Sequence, residues 1–183
     1  MRLLARETAA ALIDIQEKLL PHMEDHEQLL ARLLLLARGL RILNIPLMVT
    51  EQYPRGLGPT VPELKAALGD QEILEKISFS CCDAPEFMAR LREGKRKNIV
   101  LAGIEAHVCV LQTVLDLSAA GFTPVVVADC VSSRRAAGVA SRRIACERIR
   151  AEGGIVTTAE SLLFELCRRA DNPAFREISH LVK

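Results

Sequence analysis

Residues 98–113 read NIVLAGIEAHVCVLQT, and the fold turns on them. Asn98 to Ala102 is an apolar run of strand length, Gly103 marks a turn, and the apolar residues beyond it begin a helix that carries Cys109. A thiol in the first turn of a helix meets unpaired backbone N–H groups and the positive end of the helix dipole, and both favour thiolate over thiol. Cys109 is therefore a candidate nucleophile. The plainer reading stands beside it, because cysteine is among the most buried residue types and usually only packs.

Outward from this stretch the same alternation recurs. Thr8 to Ile15 (TAAALIDI), Ile45 to Thr50 (IPLMVT), Glu72 to Ile77 (EILEKI), Thr123 to Ala128 (TPVVVA) and Ile155 to Thr157 read as further strands. Helical segments fall between them at Glu24 to Leu43, Val61 to Leu68, Ala84 to Glu93 with Asp83 as its cap, and about Ala136 to Glu152. In the last of these, Val139, Ala140, Ile144, Ala145 and Ile149 recur at helical spacing, and two terminal helices follow at Ser161 to Arg169 and Pro173 to Val182. Strands apolar throughout, alternating with helices, predict an α/β fold: a three-layer αβα arrangement around a six-stranded parallel sheet, with 3-2-1-4-5-6 as the expected order. Residues 1–183 form a single domain on this reading.

Composition excludes several function classes. The 183 residues are 50% apolar and 26% charged, and a formal net charge of +1 with interleaved signs gives no nucleic-acid footprint. No run reaches the roughly 18 uncharged apolar residues of a membrane span, and Arg32 interrupts the greasiest one. The N-terminus lacks the pattern of a cleaved signal, which predicts a cytoplasmic protein. Six cysteines at irregular spacing without a CxxC argue against a zinc site and a disulfide framework. The helix at Glu24 to Leu43 is apolar over more than one stripe, which predicts packing against the sheet on one side and a neighbouring subunit on the other, hence a homo-oligomer.

Ligands of open parallel sheets bind outside the carboxyl ends of the strands, where strand order reverses. Asp14, Lys76 and Cys109 each follow a strand and should project from that edge. A cysteine attacking an acyl carbon needs its proton removed and the oxyanion met by donors. Asp14 can take the thiol proton and pass it to a departing amine, Lys76 can lower the thiol pKa, and backbone N–H groups around Glu105 to Cys109 can meet the oxyanion. Each residue also has an innocent reading: Asp14 as a turn cap, Lys76 as a solvated strand end.

With ALIDIQ around Asp14, LEKISFS around Lys76 and GIEAHVCVLQT around Cys109, the chain resembles the isochorismatase-like cysteine hydrolases. VTEQYPRGLGPTVPEL, VVADCVSSR and GGIVTTAESLLFEL extend the likeness to the isochorismatase-domain-containing subgroup. The resemblance implies an Asp14, Lys76 and Cys109 triad acting on a small-molecule substrate. It also implies a cis peptide between Ile104 and Glu105, with the amides of Glu105 and Cys109 as oxyanion donors. Nicotinamidases of the family hold a metal on an aspartate and paired histidines after the second strand. This chain has EQYPRG there, so no metal and no cofactor are expected, and nicotinamide becomes a less favoured substrate. True isochorismatases cleave a vinyl ether without a thiol, so an intact Cys109 points to C–N cleavage through a thioester.

Tyr53 and Phe79 follow the second and third strands and are candidates for an apolar substrate pocket, with core or interface packing as the alternative. His107 is expected at the pocket rim or as a cap, since it lies two residues before Cys109 and would face away from the thiol. The vicinal Cys81 and Cys82 suit a disulfide poorly, and Cys130, Cys146 and Cys167 read as packing. The rivals to a hydrolase are a catalytically idle scaffold that keeps the fold and a thiol redox sensor. The latter would need a resolving thiol near Cys109, and no cysteine lies within one helical turn of it in sequence.

Overall fold

The computed structural model describes residues 2–183, with the backbone alone at 138 and 139; the side chain of Val139 therefore lies outside the described residues. Six strands, β1 (Thr8–Ile13), β2 (Leu47–Gln52), β3 (Ile73–Lys76), β4 (Asn98–Ile104), β5 (Thr123–Ser132) and β6 (Ile155–Thr157), form one sheet in the order β3-β2-β1-β4-β5-β6. Every neighbouring pair is parallel. The strands are buried on both faces, so successive residues feed two cores. Ala10, Leu12, Val100, Ala102, Val125 and Val127 face one core. Ala9, Ala11, Ile13, Ile99, Leu101 and Val126 face the other.

The helices are α1 (His26–Ile42), α2 (Pro54–Leu57), α3 (Pro62–Leu68), α4 (Pro85–Gly94), α5 (Leu111–Ala119), α6 (Gly138–Ala151), α7 (Ala159–Cys167) and α8 (Phe175–Leu181). Leucines of α1, α3 and α7 fill the first core; Phe87 and Leu91 of α4, Val114 and Leu117 of α5, and Ile149 of α6 fill the second. Much of the apolar surface of α1 is taken up inside the chain. Leu30, Leu34 and Leu35 pack partly buried against the first core, α3, α7 and α8 lie against the helix, and a methyl at Gly39 would come within 2.5 Å of Leu163. The large apolar side chains exposed among the described residues are Tyr53, Ile77, Phe79 and Ile144.

Several boundaries depart from expectation. Gly103 is not a turn residue but lies within β4, at φ +122, where any Cβ would strike the backbone of Ile13 on β1. β2 runs on through Glu51 to Gln52, and β5 runs past Asp129 to Ser132 across an irregularity in its register with β4. Asp129 instead accepts the Ala159 N–H at 2.8 Å, at the start of α7. Asp83 does not cap α4. Ala84 is the N-cap, without a side-chain bond, and Asp83 belongs to a short 3-10 turn begun by the Ser80 hydroxyl. On α6, Ala145 and Ile149 are buried while Ala140 and Ile144 face outward, so its apolar stripe is narrower than the spacing suggests.

Candidate active site

β1 ends because Asp14 takes a left-handed conformation (φ 55), which aspartate tolerates better than the β-branched residues beside it. The turn leaves its carboxylate fully buried at the carboxyl edge of the sheet. Lys76 Nζ donates to Asp14 Oδ2 at 2.6 Å, and the Thr50 hydroxyl donates to Oδ1 at 2.7 Å. The other two protons of the Lys76 ammonium go to the carbonyls of Ser78 (3.1 Å) and Phe79 (3.2 Å). An ammonium has three donors, and all three are used. Lys76 thus fixes Asp14 and supplies charge, with no donor left for the sulfur.

β4 delivers Cys109 to the same edge. The Ile104–Glu105 peptide is cis, and the chain then makes one π-helical turn, Ala106–Val110, before α5. Within that turn the Glu105 carbonyl accepts from the N–H groups of Val108 (3.1 Å) and Val110 (3.2 Å), on either side of Cys109. The Glu105 carboxylate is itself tied down, accepting the Arg134 N–H at 3.0 Å and lying 3.6 Å from the Arg134 Nε. Thr113 donates its hydroxyl to the Cys109 carbonyl at 2.7 Å and accepts the Cys81 N–H at 3.0 Å, locking the Cys109 turn to the segment after β3. The Cys109 thiol donates to Gln52 Oε1 at 3.1 Å and is only 3% exposed.

The electrostatics reverse one expectation. Burial, then the adjacent Asp14 charge, push the Cys109 thiol well above its ordinary 9.0, and the Lys76 charge offsets them only in part. The helix-start argument fails because desolvation penalises an anion here more than the nearby cation rewards it, and that cation is already paired with Asp14. Burial also raises the Asp14 carboxyl above its usual 3.8 against the lowering by Lys76 and Thr50, which makes it the more basic. Burial opposes the Lys76 ammonium, but the charges of Asp14 and Cys109 raise it above 10.5 overall, so it stays protonated. The resting arrangement is a neutral thiol whose proton goes to Gln52, a nearby carboxylate made more basic by burial, and a fixed cation.

A surface cavity of about 610 Å³ opens beside this group, lined by Tyr53, Pro54, Arg55, Lys76, Ile77 and Asp83 among others. It touches the Asp14, Lys76 and Cys109 group through Lys76; neither Asp14 nor Cys109 lines it. Tyr53 is thus at a cavity, whereas Phe79 contributes its carbonyl to Lys76 while its ring stays half exposed. His107 makes no cap through Nδ1, which is buried without a hydrogen-bond partner among the described residues. The EQYPRG segment is engaged too, with Glu51 Oε1 accepting the Thr60 N–H (2.6 Å) and hydroxyl (2.7 Å).

Thr50, Gln52 and Gln16 escaped the sequence reading, and Cys81 was read there only as half of a vicinal pair. Thr50 holds Asp14, Gln52 holds the thiol, and Cys81 lies buried behind the site with its sulfur 3.9 Å from the Thr50 hydroxyl. Gln16 clasps Gln52 in both directions, donating to its carbonyl at 3.0 Å and accepting its N–H at 2.8 Å. The signal available for Gln52 was its position: it pairs with Lys76 in the β2–β3 register, so it had to reach the same edge.

Compared with known sequences, residues 8–161 match the profile of the isochorismatase domain. The chain belongs to the isochorismatase family. It is 41% identical over 172 residues to isochorismatase domain-containing protein 1 of Danio rerio, covering 93% of this chain and 59% of that protein; it thus spans under two thirds of that relative. Among solved structures, that of MAR1 ribonuclease from Caenorhabditis elegans superposes with a TM-score of 0.93 at 39% identity, covering 100% of this chain and 92% of that one. YcaC from Pseudomonas aeruginosa, solved with hexane-2,5-diol and covalent acrylamide, superposes with a TM-score of 0.90 at 26% identity, covering 98% and 91%. No helix among the described residues is long and apolar enough to cross a membrane.

Proposed function

We propose that this isochorismatase-family chain is a cysteine hydrolase that cleaves the C–N bond of a small amide through a Cys109 thioester. The observation that carries the reading is the buried ion pair of Lys76 and Asp14, 2.6 Å apart, set against a thiol whose only route to nucleophilicity is a neighbouring base. Asp14 takes the Cys109 proton as the sulfur bonds to the acyl carbon. The oxyanion so formed is met by the N–H groups of Glu105 and Cys109. As the C–N bond breaks, Asp14 returns the proton to nitrogen and the amine departs. Water then gives a proton to Asp14 while its oxygen attacks the thioester, the C–S bond breaks, and the sulfur recovers the proton as the carboxylic acid leaves. Lys76 balances the charge throughout; the raised pKa of Asp14 suits a group that must both accept and donate. A small substrate is supported by the sealed sulfur, and a reactive nucleophile in this fold by the covalent acrylamide named for the Pseudomonas aeruginosa relative, an electrophile to which nucleophiles add at the C=C bond. A homo-oligomer that covers Tyr53, Ile77 and Phe79 at the mouth of the site belongs to the same reading.

The test is ammonia release from a panel of primary amides by wild type, Cys109→Ala and Asp14→Asn. Release by wild type that both substitutions abolish is expected. No release from any amide would leave an idle scaffold. A second reading, ribonuclease, is prompted by the name of the Caenorhabditis elegans neighbour. Labelled single-stranded RNA in the same assay decides it, with intact RNA expected from a site whose sulfur is 3% exposed on a chain of net charge +1.

A further inference from the structure

We infer that Gln52 is the specificity residue of this site: its side-chain oxygen receives an N–H of the substrate's leaving nitrogen and so selects amides over esters. The inference rests on the thioester reading above and goes beyond it. In the resting site Oε1 accepts the Cys109 thiol proton at 3.1 Å, while Nε2 donates to the Ile77 carbonyl at 3.3 Å. A backbone carbonyl can only accept, so the amide cannot flip without losing that bond, and the face turned to the sulfur is the acceptor face. The position is rigid as well. Gln16, fully buried, grips both backbone groups of Gln52 and donates further to the Gly58 carbonyl at 2.6 Å.

When the sulfur attacks, its proton passes to Asp14 and Oε1 loses its donor. An acceptor deprived of its partner in a part-buried site is drawn to the next donor within reach. The group now nearest to it is the one bonded to the same acyl carbon as the sulfur, which is the leaving group. An amide nitrogen offers Oε1 an N–H there and keeps its lone pair for the proton held by Asp14. An ester oxygen has no proton to offer and sets a lone pair against Oε1. The interaction forms only as the S–C bond forms, so it acts on the transition state and not on ground-state binding.

The experiment compares kcat/KM for matched pairs that share an acyl group: acetamide and methyl acetate, butyramide and methyl butyrate, benzamide and methyl benzoate. Wild type, Gln52→Leu and Gln52→Glu are assayed side by side. Gln52→Leu is expected to lower the amide rate about tenfold to a hundredfold and the ester rate no more than about threefold. Gln52→Glu keeps an acceptor, so its absolute rates fall while its amide-to-ester ratio stays near that of wild type. Equal losses on both members of a pair in Gln52→Leu, or no loss on either, would overturn the assignment and leave the thioester reading intact. A wild type that hydrolyses neither member of any pair defeats the thioester reading, and the role of Gln52 with it.

Discussion

Lys76 and Asp14 meet at 2.6 Å with side chains 1% and 0% exposed, a closed ion pair at the edge of the sheet. Such a pair is costly to break from one side, because the survivor is a buried charge without a counterion. Lys76→Met should therefore destabilise the fold by about 3–5 kcal/mol. Asp14→Asn combined with Lys76→Met should recover part of that loss, since neither charge remains. Urea denaturation of wild type, the two single variants and the double checks this; additive losses in the double would mean that the two residues do not act as a pair.

The buried thiols make stability fall in alkali. Burial, with Asp14 adding to it, pushes Cys81 from an ordinary 9.0 up to about 11. A folded value above the unfolded one means that the contribution is fully present below pH 9 and is lost as pH rises toward 11, because the unfolded chain gives up its proton first. For Cys81 the loss amounts to about 3 kcal/mol across that interval. Thermal unfolding between pH 8 and 11 should show a steep decline, made shallower by Cys81→Ala. A flat profile would mean that these thiols are not sealed.

Gly103 sits where β1 and β4 approach most closely, at a φ that disfavours side chains and with the Ile13 backbone in the path of any Cβ. Gly103→Ala must push the strands apart or bend β4, so a loss of roughly 3 kcal/mol or more is expected, together with loss of activity. Gly121 offers the contrast: it too has a positive φ, but nothing lies near a Cβ there. Gly121→Ala should cost only about 1 kcal/mol and leave catalysis unchanged. Chemical denaturation and amide turnover of both variants provide the comparison.

Gln16 is fully buried and makes three hydrogen bonds that fix Gln52 and Gly58. Gln16→Leu strands the carbonyls of Gln52 and Gly58 and the Gln52 N–H at the floor of the site, which should cost about 2–4 kcal/mol. It should also lower kcat more than it raises KM, since it loosens a group engaged as the thioester forms. Stability and steady-state kinetics measured together separate this from a purely structural role, which would leave kcat unchanged below the melting range.

The sheet order was legible because most strands are apolar runs between helices, and a chemically distinctive residue ends β3 or follows β1 and β4. The placement of Asp14, Lys76 and Cys109 at one edge followed from parallel topology alone. What escaped lay in boundary residues. Ending β2 at Thr50 assigned Glu51 and Gln52 to a loop, yet polar residues can continue a strand when partners at its end satisfy them, as Thr60 and Gln16 do here. Gly103 read as a turn because glycine usually punctuates, whereas here it permits close approach. The protonation of Cys109 was misjudged because sequence shows the helix start but not the depth of burial.

The most direct test of the central claim is acid-quenched mass spectrometry of the Cys109 peptide during turnover of a small primary amide. The account predicts a mass gain on Cys109 equal to the acyl group replacing the thiol proton, present in wild type, absent in Asp14→Asn, and discharged by water on standing. Amide hydrolysis that proceeds with an unmodified Cys109 peptide, at a rate unchanged in Cys109→Ala, would contradict it.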